Sequence, residues 1–358
     1  MSEEAFSKFH LGDFALESGE VLPSAFLAYE TFGDSKSPAL IYPTWFGGPI
    51  RDNCSVISPA NAAFDPNKYF IIVPALFGNG ESTSPSNTPA LRQDFPAVTI
   101  ADNVRAQYQL VTAGLGIKHA RAVLGWSMSA MQAFHWAVQY PDFMDGIIPY
   151  AGSAKTSIHN AVFLEGVKSG LIAARGGVSK GIGKGQAFPL PGPWSEREKQ
   201  VGLKALARVY AGWGFSQQFY REEQYQHFGY PDVESFLTGF WEAWALQKDP
   251  DDLLAMIRTW QLGDIAAGLD FGGDFQKALR SIRVPALVMP SRTDLYFPPE
   301  DAQFEVETMS PGIGVYREIP SIFGHHAAAP SFWKEDWDFL HGSIENFLLQ
   351  IGPNSGKE

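Results

Sequence analysis

Ala122-Val123-Leu124-Gly125-Trp126-Ser127-Met128-Ser129-Ala130-Met131-Gln132 is the stretch that decides the fold. An apolar run of strand character stops at Gly125, and a serine follows two residues later. An alanine- and aromatic-rich helical pattern then runs to Tyr140, where Pro141 closes it. Strand, tight turn with serine at its tip, helix: this is the arrangement of a nucleophile elbow, which pushes the serine Oγ out above the sheet edge. The turn brings strand and helix backbones close together, so small residues are needed at 125 and 129. The five residues read Gly-Trp-Ser-Met-Ser, with Ser129 where a second glycine usually stands. Serine is the next smallest side chain that fits. A plain surface turn is the competing reading, and the rest of the chain has to decide between them.

Working outward, the neighbouring segments supply the other strands of a sheet. Phe26 to Phe32 alternates and ends at Gly33-Asp34, a strand and turn. Ala39 to Pro43, Tyr69 to Pro74 and Gly146 to Gly152 are short apolar runs without alternation. Such runs are strands buried on both faces, which predicts a mostly parallel central sheet covered by helices. Thr99 to Gly114 has helical spacing, with Ile100, Val104, Tyr108 and Val111 on one side and Asp102 near its start. From residue 155 to residue 271 strand-like runs vanish and helical patterns rich in Tyr, Trp and Phe take over. Most of those aromatics read as helix-packing core and a minority as pocket lining. The Gly/Pro-rich stretch from Gly176 to Pro193 reads as loop. The sheet pattern resumes at Val284 to Pro290 and again at Gly314 to Pro320, and a helix follows from near Trp333 to Leu349. The predicted organisation is therefore an α/β core formed by 1–154 and 272–358, with 155–271 as a helical insertion, and a frayed polar tail after Gly352.

Composition narrows the function. At 45% hydrophobic and 18% charged residues the chain can bury a large core, and its net charge of −12 without a dense Lys/Arg run speaks against nucleic acid or anionic membrane as partner. The single cysteine, Cys54, excludes a disulfide framework within the chain, and no Cys/His cluster has metal spacing. The acidic start Met1-Ser2-Glu3-Glu4 lacks an apolar signal region, and no window reaches a membrane span. A cytoplasmic setting is expected.

Three reactive positions fall just after strands: Ser127, then Asp294 in Ser291-Arg292-Thr293-Asp294, then His325 in Phe323-Gly324-His325-His326. Active sites of open α/β sheets gather at that edge. A serine hydroxyl needs a base to take its proton, and the base needs a carboxylate to hold its tautomer and stabilise its charged form. The order Ser, Asp, His is that of α/β-hydrolases. Glu300 and Asp301 are rivals for the acid, but they fall at the start of a helix, where carboxylates suit the dipole. His326 is the rival for the base and is read as a neighbour lining the site. His119, His135 and His159 are read as structural. For the oxyanion, the Met128 backbone N–H is one donor and the Trp45 N–H, from the loop Thr44-Trp45-Phe46-Gly47-Gly48, the other. Phe46, Trp126, Trp213 and His326 are the candidate substrate-pocket residues.

These motifs resemble the homoserine O-acetyltransferase branch of the α/β-hydrolase superfamily. The resemblance is carried by Asp102-Asn103-Val104-Arg105-Ala106-Gln107, by Gly125-Trp126-Ser127-Met128 with Gln132-Ala133, and by Trp136-Ala137 before Tyr140-Pro141-Asp142. It is also carried by Gly78-Asn79-Gly80 through Ser84-Pro85, by the Asp294 loop through Pro299 and by Gly324-His325. It implies an acyl-enzyme on Ser127, with Asp294 and His325 completing a triad, and a helical lid that often mediates a homodimer. Two departures lie beside the reacting centre. The family's transferases usually have an aspartate directly after the catalytic histidine, in reach of the substrate amino group; here that place is His326. Ser129-Ala130 also replaces two glycines. The resulting expectation is a hydrolase of a small ester or related acyl compound, without cofactor. The alternative is an O-acetyltransferase using acetyl-CoA and a homoserine-like alcohol, and a third reading is a non-catalytic binding relative.

Overall fold

The structure is a computed structural model and describes residues 6–187, 192–268, 270–329 and 333–352. The tail after Gly352, expected to fray, lies outside the described residues. Eight strands form one sheet in the order β1-β2-β4-β3-β5-β6-β9-β10. They are β1 (Ser7–Ala15), β2 (Val21–Phe32), β3 (Ala39–Ile41), β4 (Phe70–Pro74), β5 (Ala120–Trp126), β6 (Ile147–Tyr150), β9 (Ala286–Val288) and β10 (Gly314–Tyr316). From β4 to β10 every pairing is parallel, while β2 runs antiparallel to β4 and β1 to β2. The expected mostly parallel sheet is present. Its central strands β3, β4 and β6 are buried at every position, which is why their sequences do not alternate.

Two features depart from expectation. Strand β1 went unread because it is a largely exposed edge strand whose residues Ser7 to Ala15 mix polar, apolar and glycine positions. The stretch from Gly176, read as loop, contains a small antiparallel hairpin of β7 (Val178–Ser179) and β8 (Gln186–Ala187). Two residues per strand are too few for a period to register.

Helices cover both faces. The helix Ile100–Gln109 starts at Thr99, whose side chain accepts from the Asp102 N–H while Asp102 reaches back to the Thr99 N–H. After Gln109 the helix widens into a π-turn over Leu110–Gly114. Between β6 and β9 the chain runs mainly through helices, the longest being Ile158–Ala173, Glu196–Gly214 and Pro250–Gln261. Among the described residues no helix is long and apolar enough to cross a membrane.

Candidate active site

Ser127 sits between β5 and the helix Met128–Gln139 with φ 60° and ψ −126°, a backbone conformation that a non-glycine residue adopts only under constraint. The surrounding small residues explain how the turn closes. A Cβ on Gly125 would lie 1.7 Å from Ser129 Oγ, and one on Gly152 would lie 2.5 Å from the Ser127 carbonyl oxygen. Ser129 is tolerated in place of glycine because its hydroxyl fills the gap over Gly125 and donates to Leu124 O at 3.4 Å.

Asp294 and His325 arrive from the ends of β9 and β10. His325 Nδ1 lies 2.7 Å from Asp294 Oδ2. Asp294 Oδ1 accepts the backbone N–H groups of Tyr296 at 3.1 Å and Phe297 at 3.0 Å. The carboxylate is thus satisfied on both oxygens and fixes which nitrogen of His325 carries its proton, leaving Nε2 as the acceptor. Gly324 has φ +61°, and a Cβ there would meet the Phe215 and Ser216 backbone at 2.8–2.9 Å, so only glycine lets the histidine loop pass the insertion. The His325 ring packs on Trp126 at 4.8 Å, and Trp126 Nε1 donates to His325 O at 3.2 Å. Glu300 and Asp301 stay in the first turn of the helix Pro299–Thr308. Asp294, not its rivals, meets the histidine.

Ser127 and His325 face one cavity of about 150 Å³. Its wall is aromatic apart from Ser127, His325 and His326. Trp45 and Phe46 come from the loop after β3, Trp126 and Tyr296 from strand ends, and Tyr210, Phe240, Trp241 and Trp244 from the insertion. Trp213 is a correction: it does not line this cavity. It lies three residues past Tyr210 on the same helix and packs on His159 and Phe163, each at 5.0 Å. One helical turn decides which aromatic of a dense run faces the site, and composition does not record it. Tyr210, Phe240, Trp241, Trp244 and Tyr296 are the lining residues the sequence reading did not single out. The signal for Tyr296 was its place two residues after Asp294.

The amides of Met128 and Trp45 are engaged in no hydrogen bond among the described residues. Their relative placement is set by a buried chain of amides. Trp136 Nε1 donates to Gln107 Oε1 at 3.0 Å, and Gln107 Nε2 donates to Gln132 Oε1 at 2.6 Å. Gln132 Nε2 then donates to Thr44 O at 2.9 Å and to Met128 O at 3.0 Å. Gln132 thereby ties the loop that carries Trp45 to the turn that carries Met128. Gly47 and Gly48 are both forced by contact: a Cβ on Gly47 would come within 2.8 Å of Trp244, and one on Gly48 within 2.5 Å of the Trp45 ring.

The remaining candidates fall outside the chemistry. His326 Nδ1 donates to Gly214 O at 3.0 Å, its ring stacks on Phe215 at 4.3 Å, and burial pulls its pKa down to about 3, so the ring is neutral. Burial pushes the Cys54 thiol up to about 12, which makes it an inert group. His119 pairs with Asp145. A larger cleft of about 440 Å³ beside His135 and Tyr140 contains neither Ser127 nor His325.

Comparison with known proteins agrees with this fold. A family model described as alpha/beta hydrolase fold matches residues 41–168. The chain is 34% identical over 350 residues to a probable esterase of Corynebacterium glutamicum, covering 96% of this chain and 93% of that protein. It is 34% identical over 325 residues to an ethyl acetate hydrolase of Pseudomonas veronii, covering 89% of each. A homoserine O-acetyltransferase of Symbiobacterium thermophilum is 29% identical over 369 residues, covering 94% of this chain and 92% of that one. Among solved structures, the acetyl esterase MekB superposes with a TM-score of 0.87 at 30% identity, covering 97% of both chains.

Proposed function

We propose that this chain, which belongs to the α/β-hydrolase family, is a hydrolase of small carboxylic esters that works through an acyl group on Ser127. The observation that carries the reading is the small, aromatic-walled cavity onto which Ser127 and His325 both open. The cavity, at about 150 Å³, is small. That suits a short acyl group with a small alcohol, and two relatives are named as an ethyl acetate hydrolase and an acetyl esterase.

In this reading His325 Nε2 takes the Ser127 proton as Oγ attacks the ester carbonyl. The Met128 and Trp45 amides receive the developing oxyanion. Asp294 holds the imidazole and stabilises its charged form. His325 then protonates the leaving alcohol, and water repeats the sequence on the acyl-serine.

A transferase would take acetyl from acetyl-CoA and pass it to an alcohol such as homoserine. Its acceptor ammonium would need a carboxylate beside His325. His326 stands there instead, neutral and packed among aromatic rings. Acetyl-CoA belongs to that alternative only. Incubation with acetyl-CoA or p-nitrophenyl acetate, with and without homoserine, separates the two. Acetate release is expected, and formation of O-acetylhomoserine would overturn the hydrolase reading. A fluorophosphonate probe should label Ser127, and a folded protein that resists the probe would remove the enzyme reading altogether.

We propose further that two copies pair through the insertion. Support comes from Ile158 and Val162, 84% and 55% exposed and one turn apart on one helix. Light scattering should return the mass of two chains, and a monomer would refute the pairing.

A further inference from the structure

Beside the cavity that Ser127 and His325 face lies a second, larger space that none of the steps just described uses. It is a cleft of about 480 Å³ where the loop after β3 meets the insertion. The boundary between the two can be followed along both walls. On the loop, Phe46 lines the cavity and the next residue, Gly47, lines the cleft. On the insertion, Trp244 lines the cavity, while Gln247 and Lys248, three and four residues further on, line the cleft. The two walls meet where the Trp244 indole lies on Gly47: a Cβ at 47 would come within 2.8 Å of Trp244 Cζ2. Lys248 Nζ lies over the same side chain, 5.9 Å from the ring centroid. Phe46, Tyr210 and Trp241 hold the indole there, at 6.3, 5.8 and 6.3 Å between ring centroids. Those three are buried, whereas Trp244 keeps part of its surface exposed. The indole therefore stands at the seam between cavity and cleft.

We propose that Trp244 sets the length of ester this chain accepts, by closing the seam between the cavity and the cleft. The proposal rests on the reading of Ser127 as the acylated nucleophile of a small-ester hydrolase, and it names the side chain that keeps the ester small. An arm of the ester that outgrows the cavity of about 150 Å³ meets the indole. Cut back to its Cβ, residue 244 no longer reaches Gly47, and the arm passes into the cleft. There Pro49, Leu253 and Met256 offer it apolar surface. Trp244 exchanges no proton and makes no bond with the substrate; it acts by excluding longer chains.

The other wall residues are less suited to this role. Phe240 shares the partial exposure of Trp244, but it packs on Phe215 and Phe236 within the insertion, at 5.9 and 5.2 Å, and does not line the cleft. Trp241 is buried between Tyr210 and Phe215. The Trp45 ring packs on Trp126 at 5.0 Å, on the side of the elbow. His326 is anchored through Nδ1 to Gly214 O.

The test compares kcat/KM for p-nitrophenyl hexanoate against p-nitrophenyl acetate, and for hexyl acetate against ethyl acetate, so that each arm of the ester is lengthened in turn. The proteins are the wild type, Trp244→Ala, Trp244→Leu, Gln247→Trp, and Trp244→Ala combined with Gln247→Trp, each checked by thermal melting. The wild type should favour the short ester in both series. Burying one methylene is worth about fourfold, so in Trp244→Ala the long-to-short ratio should rise tenfold or more in at least one series, with Trp244→Leu between it and the wild type. Gln247 lines the cleft and not the cavity, so Gln247→Trp should leave the wild-type ratio within twofold but cancel most of the gain when combined with Trp244→Ala. A wild-type protein that takes the long esters as well as the short ones overturns the proposal. So does a rise under tenfold in both series of Trp244→Ala; if that variant does not fold, Trp244→Leu decides, at threefold. A gain that survives Gln247→Trp also overturns it, since a general loosening of the insertion would give that result without use of the cleft. A Ser127→Ala variant with wild-type turnover would remove the parent reading and this proposal together, whereas the chain-length results alone remove only this one.

Discussion

Gln132→Met tests whether the proposed oxyanion donors, the Trp45 and Met128 amides, are positioned by the buried amide chain. Methionine keeps the length and approximate volume of glutamine, so the substitution removes polarity with little change in packing. Three bonds go: those from Nε2 to Thr44 O and Met128 O, and the one Oε1 accepts from Gln107. The Met128 carbonyl faces the next turn of its own helix and can remain paired there. Thr44 O and Gln107 Nε2 cannot, because both residues are fully buried. Leaving two such groups unpaired costs about 1–3 kcal/mol each, so stability should fall by about 2–6 kcal/mol. The catalytic effect follows from geometry: Thr44 precedes Trp45, and without Gln132 nothing described ties its carbonyl to the elbow. Removal of one oxyanion donor costs about 10²–10³ in kcat, so a displaced Trp45 amide should cost about 10–10³-fold. Steady-state kinetics on p-nitrophenyl acetate, with melting followed by circular dichroism, would read both quantities. A folded variant with kcat within twofold of wild type would show that the amide chain serves stability alone.

Three further predictions follow from single contacts. Asp294→Asn keeps the shape of the side chain but presents an amide or a neutral oxygen to His325 Nδ1, and kcat should fall by about 10³–10⁴-fold with the fold intact; a loss under tenfold would move the acid role elsewhere. Trp213→Ala should lower stability by about 0.5–3 kcal/mol and leave kcat within twofold, since its contacts are His159 and Phe163; a large kcat loss would return Trp213 to the cavity. Asp252 is buried with its carboxylate raised to about 7, so the folded protein holds that proton more tightly than the unfolded chain. Its contribution therefore makes stability fall as pH rises from about 4 to about 7 and flatten above, on the order of 4 kcal/mol in all. Asp252→Asn, which can still accept from Ser86, should melt higher than wild type at pH 8 and match it near pH 4; equal melting at both would refute the shift.

The parts of the site that were legible are those fixed by local covalent geometry. An elbow needs small residues within two positions of the serine, and an acid and a base at strand ends need only chain order. Both are properties of short windows, so Gly125, Ser127, Asp294 and His325 could be read directly. Trp213 failed for the opposite reason. Tyr210 and Trp213 lie one turn apart on the same side of the helix Glu196–Gly214 and both pack on Phe163, so which of them meets the cavity depends on where along its length that helix crosses the chain around Phe46 and Tyr296, far away in sequence. Strand β1 failed because an edge strand with mostly exposed residues carries no burial pattern to read.

Ser129 and His326 looked alike in the sequence, as two departures from one family pattern beside the reacting centre, but the structure separates them. Ser129 replaces glycine where the only demand is for a small side chain, and its hydroxyl finds Leu124 O. Ser129 is fully buried and does not line the cavity, so it carries no information about substrate. His326 occupies the cavity wall itself, and its hydrogen bond to Gly214 O and its stack on Phe215 join the base loop to the insertion. Replacing it by aspartate would put a carboxylate against Phe215, Phe240 and Trp241, where no described cation could neutralise it. A single His326→Asp change should therefore not create a homoserine acceptor site. It should raise the carboxyl pKa or disorder the wall, and a gain of O-acetylhomoserine synthesis from that one change would refute this account of the cavity.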